Sequence, residues 1–249
     1  MVRALDKYLR AEVQSTPFCP GCGHGILLGL VLRTIEEMGL DMQRMLFVSG
    51  IGCAAWIPNP NYKADTLHAL HGRAIPFATG AKLANPDLKV IVISGDGDLA
   101  SIGGNHLIHA ARRGHDITVV CANNMIYGMT GGQAASTTPQ GSLTTTTPKG
   151  NEYPPFDLCR LVKAAGAAYV ARSAIVRPYA LMEYLSRAIE TPAFSFVEVL
   201  SPCPTQYGRR NRLDTAAGMF DQLSAACMDR AEIDPSLPLP ENRIVLGEF

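Results

Sequence analysis

Two groups of residues carry types and spacings that can do chemistry. The stretch FCPGCGHG (18–25) sets Cys19 and Cys22 three positions apart in a turn rich in Gly and Pro. Such a turn brings both sulfurs to one side, where they can share a metal or form a redox disulfide. Two thiols do not complete a tetrahedral site, so further ligands must come from elsewhere. Cys53, in SGIGCAAW, follows Cys22 by 31 residues, enough for one helix and one strand to return the chain to the same sheet edge. Cys203, in SPCPTQYGRRN, also lies just beyond an expected strand end. Four thiolates at strand ends can hold zinc or a [4Fe–4S] cluster, and spacing does not choose between them. Cys121, Cys159 and Cys227 fall inside apolar or helically spaced stretches and read as buried packing thiols.

The second group is GDGD (95–98) and NNMIYG (123–128). Gly95 and Gly97 permit a tight turn and close approach of a diphosphate to backbone N–H groups, while Asp96 offers a hard oxygen to Mg²⁺. Asn124 can add an amide oxygen. It lies 28 residues after Asp96, about the length of one strand-helix-strand crossover, so both are expected at neighbouring strand ends facing one crevice. The alternative is a plain turn with Asn124 as a cap, which the spacing and strand context disfavour.

The elements that must position these residues follow from periodicity. Ile26, Leu27, Leu30, Val31, Ile35 and Met38 keep helical spacing until Gly39. A strand is expected over 45–50, a helix over 73–83, a strand over 88–98, a helix over 99–115 and a strand over 116–124. Helix and strand alternate again from 156 to 201. The near-continuous apolar strands argue for an α/β fold, a doubly wound, mostly parallel sheet covered on both faces. The residues from 125 to 155 lack periodicity, and a loop of that length is usually functional or mobile. No domain boundary is evident, so one domain over 1–249 is expected, with the thiol turn at its start and a helical extension from about 212.

Composition narrows the function. Lys and Arg total 22 against 22 Asp and Glu, so no general field draws the chain to nucleic acid or anionic lipid. A hydrophobic content of 47% suffices for a buried core. The opening MVRALDKYLRAEVQ lacks the apolar segment of a secretory signal, and ILLGLVL (26–32) falls far short of the roughly 20 residues that cross a bilayer. A cytoplasmic protein with no nucleic-acid or membrane partner is expected, its seven cysteines reduced or metal-bound.

Taken together, CPGCGHG, SGIGC, HGRA, GDGD, NNMIYG and SPCPT resemble the β subunits of 2-oxoacid:ferredoxin oxidoreductases, over roughly residues 17 to 211. GDG followed by Asn-Asn is similar to the motif of thiamine-diphosphate-dependent enzymes in general, so the fold implied is their pyrophosphate-type domain. The resemblance implies thiamine diphosphate, Mg²⁺ and a [4Fe–4S] cluster. The implied cluster ligands are Cys19, Cys22, Cys53 and Cys203. The implied Mg²⁺ ligands are Asp96, Asn124 and the carbonyl of Ile126. Ile51, Gly52, Cys53, Ala54, Gly95, Asp96, Gly97, Asp98, Asn124, Gly128 and Met129 would border the cofactor, and His71 would contact the diphosphate or substrate. The implied reaction is the reversible, coenzyme A-dependent oxidative decarboxylation of a 2-oxoacid, with ferredoxin as electron acceptor.

The implied partners include an α-type subunit that brings a pyrimidine-binding domain and an activating glutamate, with further subunits beside it. The pattern GCAAWIPNPNYKADTLHALHGRA is most similar to the short β subunits of 2-oxoglutarate enzymes. Trp56 stands where several relatives carry a basic residue, leaving Lys63 and Arg73 as candidates for the distal carboxylate. His106 and His109, three apart on a helix, are expected at its surface rather than on a metal. Two rivals are a non-redox thiamine-dependent decarboxylase subunit with a structural zinc site, and a non-catalytic binding subunit.

Overall fold

The computed structural model describes residues 5–13, 15–213, 215–233 and 243–249. Residues 1–4 and 234–242, both inside the expected domain, lie outside the described residues. In chain order the elements are α1 (His24–Glu37), β1 (Met45–Ser49), β2 (Asp65–His68), α2 (Ala74–Ala84), β3 (Lys89–Gly95), α3 (Gly104–Arg113), β4 (Thr118–Asn123), α4 (Leu158–Ala164), β5 (Tyr169–Ala174), α5 (Pro178–Glu190), β6 (Ser195–Leu200), α6 (Ala216–Ala226), β7 (Cys227–Asp229) and β8 (Ile244–Glu248). The strands form one sheet in the order β2-β1-β3-β4-β6-β5-β8-β7. The pairings among β1 to β6 are all parallel, whereas β8 runs antiparallel to β5.

Both faces of the central strands are apolar because side chains alternate between two cores. Phe47, Ile91, Ile93, Val120, Ala122, Val197 and Val199 pack with α1 and α5. Their neighbours Val48, Val90, Val92, Val119, Cys121 and Phe196 pack with α2, α3 and α4. This two-sided burial produces the continuous apolar runs and requires the doubly wound arrangement. Gly39, at φ +63°, ends α1 as its spacing predicts. Among the described residues no helix is long and apolar enough to cross a membrane.

Three elements differ from expectation. The edge strand β2 is half exposed and carries no apolar alternation to betray it. The helix expected over 99–115 is divided into a wide turn, Gly97–Ile102, and α3. The division falls at Gly103, where a Cβ would lie 2.7 Å from the Asp98 carbonyl and 3.1 Å from that of Gly72. Among the described residues beyond 212 the one α-helix is α6. The chain then adds β7 and β8 to the sheet, so Cys227 is a buried strand residue rather than a helical one.

Parallel order has one consequence for function. The adjacent strands β1, β3, β4 and β6 end side by side, and the residues that follow them hold Cys53, Asp96, Asn124 and Cys203 respectively. Four distant stretches of sequence therefore open onto one edge, where ligands of open α/β sheets bind.

Candidate functional site

Asp96 leaves β3 with its side chain 2% exposed. It accepts hydrogen bonds from the Thr137 hydroxyl and, at 3.4 Å, from the Asn124 N–H. Burial pushes the Asp96 carboxyl up to about 6, against the opposing effect of those two bonds. A buried carboxylate so poorly compensated is suited to a cation. The Asn124 side-chain oxygen accepts the Ile126 N–H at 3.2 Å, and an amide oxygen keeps a second lone pair. Among the described residues no donor meets the Ile126 carbonyl. Asp96, Asn124 and Ile126 could thus present three oxygens to one hard ion.

The thiols converge by local chemistry. Cys22 N–H donates to the Cys19 carbonyl at 3.0 Å, with Pro20 and Gly21 at the centre of the turn and Gly21 at φ +78°. Pro followed by a left-handed Gly defines a type II turn. The lack of side chains at Gly21 and Gly23 lets this turn lie against α6 and the segment after β6, since a Cβ on Gly23 would stand 2.5 Å from Ser201 Oγ. Cys22 is thereby carried to Cys203. The Cys22 and Cys53 thiols are each pushed up to about 11, first by burial and then by the nearness of Cys203 and Cys19. A Cβ placed on Gly128 would sit 3.5 Å from Cys203 Sγ, 3.7 Å from Cys53 Sγ and 3.6 Å from Asn124 Nδ2. The missing side chain leaves a cradle between two thiols and the oxygen-rich turn. Cys121, Cys159 and Cys227 are buried elsewhere, as expected.

Asp98 is held by donors from three segments. Its Oδ1 accepts the N–H groups of Ile51 at 3.1 Å and Gly72 at 2.7 Å, and lies 2.6 Å from His71 Nδ1. Its Oδ2 accepts the Ser94 hydroxyl at 2.8 Å. With both oxygens in hydrogen bonds, Asp98 fastens the Ile51–Ala54 and His71–Gly72 segments to the GDGD turn. Gly50 is needed because any side chain there would overlap this carboxylate. An ionised carboxylate only accepts, so the His71 Nδ1 that faces it carries an N–H.

Gly97 is small because the Tyr127 ring lies 2.5 Å from where its Cβ would be. One further expectation is corrected. Lys63 precedes β2 and lies beside Lys7, Tyr8 and residues 40–43, at the amino end of the sheet. It cannot reach a ligand at the carboxyl end. Arg73, next to His71 at the head of α2, stays on the correct edge, and its charge helps lower the pKa of His106, after burial. His106 is half-buried on α3 and His109 exposed. Thr137 was not legible before folding, because its loop has no period. The loop is nevertheless anchored: Thr138 Oγ1 donates to the Met125 carbonyl at 2.7 Å and Asn151 Nδ2 to the Thr138 carbonyl at 2.8 Å.

The profile of the thiamine pyrophosphate enzyme C-terminal TPP binding domain matches residues 50–199. The site and sheet thus define a thiamine-enzyme domain. The 2-oxoglutarate synthase subunit KorB of Methanothermobacter marburgensis is 47% identical over 98% of this chain and 85% of its own length. The β subunit of the 2-oxoacid:ferredoxin oxidoreductase of Saccharolobus solfataricus is 42% identical over 78% of this chain and 64% of its own. A solved structure, the 2-oxoglutarate:ferredoxin oxidoreductase from Magnetococcus marinus with 2-oxoglutarate, coenzyme A and succinyl-CoA bound, superposes with a TM-score of 0.87 at 33% identity, covering 99% of this chain and 84% of that one. The chain belongs to the β subunits of the 2-oxoacid:ferredoxin oxidoreductases, and so to a multi-subunit oxidoreductase.

Proposed function

We propose that this chain is the cofactor-carrying β subunit of a cytoplasmic 2-oxoglutarate:ferredoxin oxidoreductase, which interconverts 2-oxoglutarate and coenzyme A with succinyl-CoA and CO₂. The observation that carries the proposal is the cradle at Gly128, which joins Cys53 and Cys203 to Asn124. Its neighbours fit a diphosphate-bound cation on one side and a thiolate-held cluster on the other. When bound, thiamine diphosphate supplies a carbon nucleophile and an electron sink, and a [4Fe–4S] cluster a one-electron path to ferredoxin.

The chain's own residues bind and orient. Asp96, Asn124 and the Ile126 carbonyl hold Mg²⁺, while Ile51 to Ala54, Gly95, Gly97, Gly128 and Met129 border the cofactor. Cys19, Cys22, Cys53 and Cys203 hold the cluster. Among the described residues no three His, Cys, Asp or Glu side chains close around a single ion. His71 Nε2 accepts a proton or a substrate hydrogen bond.

Residues 1–249 act as one thiamine-diphosphate-binding domain. Partners are an α-type subunit that brings the pyrimidine-binding domain and its glutamate, with further subunits, ferredoxin and coenzyme A. Exposure of Ile51, Trp56, Leu70 and Met129 around the site supports coverage by another chain.

Anaerobically purified complex should absorb broadly near 400 nm and carry about four irons for this cluster, in addition to those of any partner. It should reduce ferredoxin with 2-oxoglutarate and coenzyme A faster than with pyruvate or 2-oxoisovalerate. Colourless protein with one zinc would remove the redox proposal, and a preference for the branched acid would remove the substrate.

A further inference from the structure

Behind the metal turn runs a chain of buried polar side chains that the proposed function leaves unused. Glu198, in the middle of β6, is 2% exposed. Its Oε2 accepts from Arg172 Nε at 2.6 Å and from Cys159 Sγ at 3.3 Å. Its Oε1 accepts from Asn123 Nδ2 at 2.7 Å. The other end of the same amide, Asn123 Oδ1, accepts the N–H of Met125 at 2.9 Å. Met125 is held at φ +63°, a left-handed conformation that is costly for a residue with a Cβ. Asn124 and Ile126 flank it.

We propose that Glu198, oriented by Arg172, is a positioning residue that acts through Asn123 to fix the Asn124–Ile126 turn in the shape that offers its oxygens to Mg²⁺. The inference rests on the assignment of this turn to the Mg²⁺-diphosphate site. Its core is an asymmetry of donors and acceptors. A carboxylate only accepts, so the NH₂ end of Asn123 must face Glu198 and the oxygen must face the Met125 N–H. An amide at 198 could offer NH₂ instead. Asn123 could then rotate and set its own NH₂ against the Met125 N–H, two donors with no acceptor between them.

The bland alternative is a structural ion pair in the sheet. A pair built for that purpose would engage both carboxylate oxygens with the guanidinium fork. Here Arg172 gives Glu198 only Nε, turns Nη2 to Asp157 at 2.5 Å and Nη1 to the Val245 carbonyl at 3.3 Å, and leaves Oε1 to Asn123. Burying an ion pair in a sheet is costly or neutral compared with apolar packing, so stability alone does not explain its presence.

The test uses the assembled complex stripped of metal and cofactor, with Mg²⁺ titrated at fixed thiamine diphosphate by calorimetry. Glu198→Gln should raise the Mg²⁺ dissociation constant by about 10- to 100-fold, as loss of a group behind a metal ligand does. Activity at saturating Mg²⁺ should recover to within a few-fold of wild type. Asn123→Ala should give a similar loss, and the double variant should be no worse than either single one, since both act on one turn. A Mg²⁺ affinity within twofold of wild type, with only a lowered melting temperature, would assign Glu198 to stability and overturn the proposal. If Glu198→Gln does not assemble, Asn123→Ala, which keeps the Arg172 pair, decides by the same criterion. A wild-type complex that takes up thiamine diphosphate independently of Mg²⁺ would instead remove the site assignment, and this inference with it.

Discussion

His71 Nδ1 lies 2.6 Å from Asp98 Oδ1, and that oxygen also receives the backbone N–H groups of Ile51 and Gly72. One carboxylate therefore keeps an N–H on Nδ1 of the candidate catalytic histidine and anchors the loop that bears Cys53. Replacing Asp98 by Asn leaves the shape but allows an NH₂ to face those donors. We expect Asp98→Asn in the assembled enzyme to lower kcat by about 100-fold or more and also to weaken thiamine diphosphate binding, because the Ile51–Ala54 segment it fastens borders the cofactor. His71→Gln should lower kcat to a similar degree. Steady-state rates with an artificial electron acceptor check both, and an unaltered kcat in either would remove His71 from the mechanism.

Asp96 should cost the metal-free chain stability. Its folded pKa, about 6, stands above its ordinary 3.8, so between those values the folded state binds more protons than the unfolded one and stability falls as pH rises. At neutral pH the cost is roughly 3 kcal/mol. Asp96→Asn should therefore be more stable than wild type in chelator at pH 7.5, while losing Mg²⁺-dependent thiamine diphosphate binding. Denaturant melts supply the first number and calorimetry the second. A less stable Asp96→Asn chain would contradict the assignment.

His24 gives the opposite slope. Its ring is buried, its Nδ1 lies 2.8 Å from Ser201 Oγ, and burial lowers its pKa from 6.5 to about 4. Between those values the unfolded state binds more protons, so stability rises with pH and is lost as pH falls below 6.5. The two residues largely offset each other between pH 4 and 6. Asp96→Asn should expose a stability that climbs across that range, and His24→Asn one that declines. Equal slopes in the two variants would refute the pairing.

The thiols divide by position. Cys203→Ala or Cys53→Ala should remove this cluster's share of the absorption near 400 nm and reduce bound iron by several atoms per complex, whereas Cys121→Ala should retain both. Anaerobic spectra and iron analysis on the same preparations make the comparison. A full iron content in Cys203→Ala would break the proposed ligand set.

With Lys63 at the wrong end of the sheet, Arg73 is the remaining basic candidate for the distal carboxylate. Arg73→Ala should raise KM for 2-oxoglutarate by about tenfold or more, the scale of a lost charged contact, and leave that for pyruvate nearly unchanged. Parallel KM values for the two acids decide it; an equal effect on both would mean that Arg73 serves the fold or the partner.

Much of this was readable in the chain itself. Continuous apolar runs dictated a sheet buried on both faces, and Gly39 stopped α1, because local sterics and periodic burial are written residue by residue. The link from Asp96 to Asn124 was also legible, since one crossover spans a nearly fixed number of residues. Nothing local encoded β2, whose half-exposed edge carries no pattern, or Thr137, whose hydroxyl reaches Asp96 from an aperiodic loop. Only tertiary structure could show that Asp98 gathers the backbone N–H groups of Ile51 and Gly72 while Asp96 meets Thr137 and Asn124, or that Glu198 holds Asn123 from another strand. Those roles depend on which donors from distant segments a buried oxygen meets, and that is settled by packing in three dimensions rather than by spacing along the chain.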